Sequence, residues 1–150
     1  MGKTISTLLI VGISFFAGLA QAENFEVKML NSGSEGFMVF EPAVLSVEVG
    51  DTVTFVATDM AHNSASMPGM IPDGAAAWTG ELSQDVTVTF EKSGVYAYQC
   101  TPHAMMAMVG VINVGKGAEN LAAVKAAAAE KKSTFVTNQG RLDNYLAQLQ

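Results

Sequence analysis

Apolar and polar residues alternate along Phe25-Glu26-Val27-Lys28-Met29, the two-residue period of a strand with one buried face. The turn-rich run Asn31-Ser32-Gly33-Ser34-Glu35-Gly36 closes it. A short apolar strand over 37–40 stops at Pro42, which cannot donate to a sheet ladder. Leu45-Ser46-Val47-Glu48-Val49 alternates up to Gly50-Asp51, and 52–57 is rich in the β-branched residues that pack well on a pleated surface. From Ala65 to Gln84 the pattern is irregular and carries Pro68, Gly69, Pro72, Gly74 and Gly80. A loop of that length in a compact domain is functional or packed against the body of the fold, and Trp78 is the side chain to pin it. Alternation returns over 85–90, Glu91-Lys92-Ser93-Gly94 reads as a turn, 95–99 is a strand that delivers Cys100, and 109–114 is the last strand. About eight strands with turns at short intervals predict an all-β fold, an antiparallel sandwich or barrel.

Beyond Gly117 the period changes. Residues 118–132 are alanine-rich and predict a helix, with Leu121, Val124 and Ala128 on one face. Leu142, Tyr145, Leu146 and Leu149 stand at i, i+3, i+4 and i+7, which predicts a second, amphipathic helix. Two C-terminal helices packed on one face of the sandwich follow. A membrane-surface helix would want basic residues along its polar face, and the second segment offers only Arg141.

The first residues carry a different signal. Lys3, a mostly apolar run over 8–20 and the small-residue site Ala20-Gln21-Ala22 predict a cleaved export signal over 1–22, with the mature domain spanning 23–150. The run is short for a membrane span. Lys3 is the one charged residue of that leader, so its removal takes the net charge from −6 to −7. An acidic surface excludes nucleic acid as a partner and does not adhere to an anionic membrane. The expected location is the periplasm, with no membrane insertion after the signal is removed.

The chemistry concentrates in Tyr98 to Gly110. This stretch holds the single cysteine, one of the two histidines, and Met105, Met106 and Met108. One cysteine permits no internal disulfide. A lone cysteine is often a buried, inert hydrophobe, but here His103 stands three residues on and Met108 eight. Thiolate, imidazole and thioether together select a soft, redox-active metal, and copper first. A His₂Cys plane with a weak axial methionine suits both Cu(I) and Cu(II), so little has to move when one electron does. His62, Cys100, His103 and Met108 are therefore the candidate ligands, three of them in one loop stiffened by Pro102. Structural zinc does not favour methionine, c-type haem needs a C-x-x-C-H motif, and iron–sulfur clusters need more cysteines.

The segments Met38-Val39-Phe40-Glu41-Pro42, Gly50-Asp51-Thr52-Val53-Thr54-Phe55, His62-Asn63, Met70-Ile71-Pro72-Asp73-Gly74-Ala75 and Cys100-Thr101-Pro102-His103 make the mature chain resemble the cupredoxins, and within them the pseudoazurins, type 1 blue copper proteins. The C-x₂-H-x₄-M spacing and the helical tail both fit. The resemblance implies a Greek-key β-sandwich with two C-terminal helices and the four ligands named above. It implies that the Asn63 backbone amide points at the Cys100 sulfur and that its side chain ties the ligand loops together through Thr101. It also implies that Met38 packs against the ring of His103. This chain differs from the family pattern at Ala104, where an aromatic residue is usual, and at Ala107, where glycine is usual. The lysines that usually ring the copper edge are replaced by Ser32, Met60, Thr79 and Gln99, leaving Met60, Met105 and Met106 to form a flatter apolar docking patch.

The function implied is that of a soluble one-electron carrier, not an enzyme. It would act as a monomer and exchange electrons with redox partner proteins at the His103 face, among them a denitrification enzyme such as copper nitrite reductase. A copper chaperone or store is the alternative, since Met105 and Met106 could serve as exchangeable ligands. A copper enzyme would need an open coordination position or a second metal, and both histidines are already used.

Overall fold

The computed structural model describes residues 21–116 and 119–149. The export signal expected over 1–22 falls almost wholly on residues 1–20, outside the described residues. Eight strands form: β1 Asn24–Gly33, β2 Gly36–Glu41, β3 Val44–Val47, β4 Thr52–Val56, β5 Ala65–Ser66, β6 Val86–Thr89, β7 Gly94–Gln99 and β8 Val109–Val114. They make two four-stranded sheets, ordered β2-β1-β4-β6 and β3-β8-β7-β5. The chain passes repeatedly from one sheet to the other, closing a Greek-key sandwich rather than a barrel.

The expectation of purely antiparallel pairing is corrected. β1 pairs with β4 in parallel, Asn24 opposite Thr52 through Lys28 opposite Val56, and β3 pairs with β8 in parallel. Alternation along a strand reports which faces are buried and says nothing about the direction of a neighbour. Crossing between sheets brings together strands that are not consecutive, and these meet in either sense. Two further differences are local. β1 continues through Asn31 and Ser32 to pair with β2, and β5 lies inside the stretch read as irregular, where it pairs with β7. A two-residue strand is too short to display a period.

The space between the sheets is filled by Val27, Met29, Phe40, Phe55, Phe90, Tyr96, Tyr98 and Ile112, among others. Trp78 stacks on Phe55, centroids 5.9 Å apart, and its indole N–H donates to Ser64 Oγ at 3.0 Å. These contacts fasten the long connection to the body of the fold. The second sheet is buried on both faces. Val95 and Ala97 of β7 and Val109 and Val111 of β8 face away from the sandwich interior, where α1 (Leu121–Lys131) and α2 (Arg141–Leu146) cover them. Val124 and Ala128 of α1, and Leu142, Tyr145 and Leu146 of α2, are buried there. The helical periodicity of the tail thus serves core formation, as expected.

Candidate metal centre

The position of two candidate ligands follows from strand register. On β7, Tyr96 and Tyr98 point into the sandwich, so Cys100, two residues on, continues the inward row. On β8, Ile112 points inward and so does Met108 just before the strand. Gln99 opposes Val109 across the antiparallel pair, and the Cys100 N–H donates to the Met108 carbonyl at 2.9 Å. Cys100 and Met108 are therefore neighbours on the inner face at one end of the sandwich, and both are fully buried.

The seven residues between them form a tight loop. It contains a 3₁₀ turn over Ala104–Met106, and Ala107 takes φ +54°. The Met108 N–H returns to the His103 carbonyl at 3.3 Å. An L-residue in this left-handed region costs roughly 1–2 kcal/mol, so the surroundings must impose the conformation.

His62 arrives from the other sheet, after β4. Ala61, at φ +67°, turns the chain, and the Ser83 N–H donates to the His62 carbonyl at 2.8 Å. The imidazole is completely buried. Its Nε2 lies 3.0 Å from Asn31 Oδ1. An amide oxygen only accepts, so this contact places the proton on Nε2 and turns the Nδ1 lone pair towards Cys100 and His103. Asn31 is itself held, its N–H donating to Asp59 Oδ2 at 2.7 Å. In the sequence Asn31 opens a turn-rich run, and an Asn in a strand-closing loop carries no signal of this role.

Three donor atoms converge. His62 Nδ1 and His103 Nδ1 are 3.1 Å apart, Cys100 Sγ lies 3.7 Å from His62 Nδ1, and it lies 3.4 Å from His103 Nδ1. A point equidistant from three atoms so spaced lies about 2.0 Å from each, the length of a metal–imidazole bond and slightly under a metal–thiolate bond. The donor set and its spacing fit one copper ion in a trigonal plane, with the buried Met108 placed beside Cys100 by the backbone. His103 is half-buried, whereas His62, Cys100 and Met108 are enclosed.

Burial acts in opposite senses on the two enclosed ligands. Burial lowers the His62 pKa from its ordinary 6.5, the nearby His103 lowers it further, and Asp59 opposes them. The ring is thus kept neutral, as ligation requires. Burial raises the Cys100 thiol, while the backbone N–H groups of Asn63 and His103 pull the other way. Those N–H groups are what a metal-bound thiolate would use as hydrogen-bond donors.

Asn63 and Thr101 join the two ligand segments. Asn63 Oδ1 accepts from the Thr101 N–H at 2.7 Å, and Nδ2 donates to Thr101 Oγ1 at 3.2 Å and to the Gly80 carbonyl at 3.0 Å. The His62 and Cys100 segments are stitched together from opposite sheets. Met38 is half-buried, takes φ +52°, and packs against the cluster that contains Cys100 and Met108. Of the four positions lacking lysine, Ser32, Met60 and Thr79 are exposed and Gln99 is half-buried. Met60 and Met105 are exposed, and Met106 is half-buried.

A two-sheet sandwich with a His₂Cys triangle closed by an adjacent buried methionine defines a cupredoxin. Residues 27–115 match the family described as copper binding proteins, plastocyanin/azurin family. The pseudoazurin of Methylorubrum extorquens is 43% identical over 131 residues, covering 87% of this chain and 85% of that protein. The pseudoazurin of Paracoccus pantotrophus is 41% identical over 128 residues, covering 85% of each. The crystal structure of pseudoazurin from Methylobacterium extorquens superposes with a TM-score of 0.75 at 42% identity, covering 85% of this chain and 99% of that one. The chain belongs to the plastocyanin/azurin family of copper-binding proteins, in its pseudoazurin branch. Copper is the cofactor of this family, and pseudoazurins carry electrons and are not enzymes.

Proposed function

We propose that this protein is a periplasmic one-electron carrier whose single copper is held by His62 Nδ1, Cys100 Sγ, His103 Nδ1 and the Met108 thioether. Residues 1–22 direct export and 23–150 form the mature domain. Bound copper supplies the Cu(II)/Cu(I) couple. Asn31 fixes the His62 ring, and Asn63 with Thr101 fixes the two ligand segments against each other, so the donor set is organised before metal arrives. Among the described residues no helix is long and apolar enough to cross a membrane.

The observation that carries this reading is the inequality of exposure. His62, Cys100 and Met108 are buried, and His103 alone is partly open. Electrons then enter and leave through the His103 edge. The surface that carries the exposed Met60 and Met105 receives redox partners while the protein remains a monomer. A nitrite-reducing copper enzyme of denitrification is one such partner. Copper delivery is the competing function. Reversible one-electron cycling in the presence of a strong Cu(I) chelator, with copper retained, supports the carrier. Rapid transfer of copper to the chelator or to an apoprotein acceptor would replace the carrier with a chaperone.

A further inference from the structure

The buried cation of α2 is unexplained by the fold alone. Arg141 is 9% exposed, and among the described residues the one ion pair is Lys132 with Asp143. Its guanidinium instead meets four backbone carbonyls. One terminal nitrogen donates to Met38 O and Ala107 O, each at 3.0 Å, and to Phe37 O at 3.3 Å. The other reaches Glu35 O and Phe37 O at 3.4 Å. A planar fork of donors can hold several acceptors in fixed directions, which an ammonium cannot. The two shortest contacts go to Met38 and Ala107, both non-glycine residues in the left-handed region. Ala107 is the residue that turns the ligand loop into Met108.

The same segment takes up the loop's neighbouring carbonyls in order. The Val136 N–H donates to Met105 O at 2.7 Å, and Asn138 Nδ2 donates to Met106 O at 3.4 Å. Three consecutive carbonyls, Met105, Met106 and Ala107, are thus bound by the C-terminal tail. Leu142, Tyr145 and Leu146 anchor that tail on the second sheet, so its donors are fixed in space.

We propose that Arg141 is a positioning residue for the copper site: by binding the Ala107 and Met38 carbonyls through one nitrogen, it sets the approach of the Met108 thioether to the metal. The inference rests on the reading of Met108 as the axial ligand. An arginine of the tail helix thereby acts on the electronic state of the copper through one peptide unit, because a weak axial bond is the one most easily altered by small backbone shifts.

The decisive variant is Arg141→Lys, which keeps the charge and removes the fork; Arg141→Gln is made alongside. Two measurements are taken on each. In the metal-free protein, amide hydrogen exchange at Ala107 and Met108 should quicken at least tenfold, while Ala97 and Val111 in the strands stay at wild-type rates. In the copper-loaded protein, the relative intensities of the thiolate-to-copper bands and the spin-resonance rhombicity should change. The Cu(II)-to-Cu(I) affinity ratio should change at least threefold, about 30 mV on a scale of 59 mV per tenfold for one electron. Uniformly faster exchange with unaltered spectra and potential in Arg141→Lys would make Arg141 a merely structural residue and overturn the proposal. So would wild-type behaviour in both measurements. Absence of a type 1 spectrum from the wild-type protein would instead overturn the ligand reading on which the proposal rests. If Arg141→Gln fails to fold, Arg141→Lys decides alone.

Discussion

Replacing Asn63 by Ala should loosen the join between the two ligand segments, and its size can be worked from the contacts. The side chain makes three hydrogen bonds, two to Thr101 and one to the Gly80 carbonyl. A typical intramolecular hydrogen bond contributes about 0.5–1.5 kcal/mol net, and a buried partner left unsatisfied costs about 1–3 kcal/mol. Thr101 is exposed, so water replaces much of what its two groups lose; the Gly80 carbonyl is buried and does not recover. The expected cost is therefore about 2–3 kcal/mol, dominated by one acceptor. For a domain of this size that is a fall in Tm of roughly 8–12 °C. Urea unfolding of the metal-free protein measures it directly, with Thr101→Val as a control that removes a single exposed acceptor and costs under about 1 kcal/mol. Copper affinity should fall about 10–100-fold, the usual effect of losing a group that orients ligands. The backbone N–H of Asn63, which faces the Cys100 sulfur, survives the substitution, so the site should still form. An Asn63→Ala protein within about 0.5 kcal/mol of wild type, with unaltered copper affinity, would refute the view that this side chain joins the sheets at the metal end.

Three further outcomes follow. Burial and His103 depress the pKa of His62 below 6.5, so the unfolded chain binds the proton more readily; metal-free stability should be full above about pH 6.5 and fall as the pH drops through that value towards the folded pKa. The pH slope of urea midpoints should shrink in His62→Gln, and equal slopes in the two proteins would contradict the assignment. A Cβ at Gly110 would collide with the ring of Tyr98, which is fully buried against Phe40 and Phe55; Gly110→Ala should cost at least the roughly 1–3 kcal/mol of ordinary overpacking. A loss below about 0.5 kcal/mol would show that the ring has room. With Ser32, Met60 and Thr79 uncharged, electron-transfer rates to a redox protein should depend weakly on salt, because rim charges act mainly on association. The triple variant S32K/M60K/T79K should restore a steep dependence on an acidic partner, and a wild-type rate that collapses with added salt would refute the reading.

The site was legible from the sequence because its chemistry is compositional. One cysteine, two histidines and a methionine at fixed spacing leave a soft metal few alternatives, and the inward row of β7 carries Cys100 to the right end of the sandwich. The core was legible for the same reason, since burial writes a period of two into strands and of 3.6 into helices. What the pattern could not show were contacts between elements far apart in sequence. Asn31 beside His62 and Arg141 on the ligand loop are polar residues whose partners lie 31 and 34 positions away. Neither spacing nor hydropathy marks such a residue. The parallel pairs β1–β4 and β3–β8 were hidden likewise, because strand direction depends on where the chain crosses between sheets.

The central claim is that His62, Cys100, His103 and Met108 hold one copper in a compact thiolate-bearing site. Visible absorption and spin resonance of the exported protein loaded with one equivalent of Cu(II) test it most directly. An intense thiolate-to-copper band with a small copper hyperfine splitting, abolished in Cys100→Ser, is the predicted result. A colourless protein with an ordinary tetragonal Cu(II) signal, unchanged by Cys100→Ser, would contradict it.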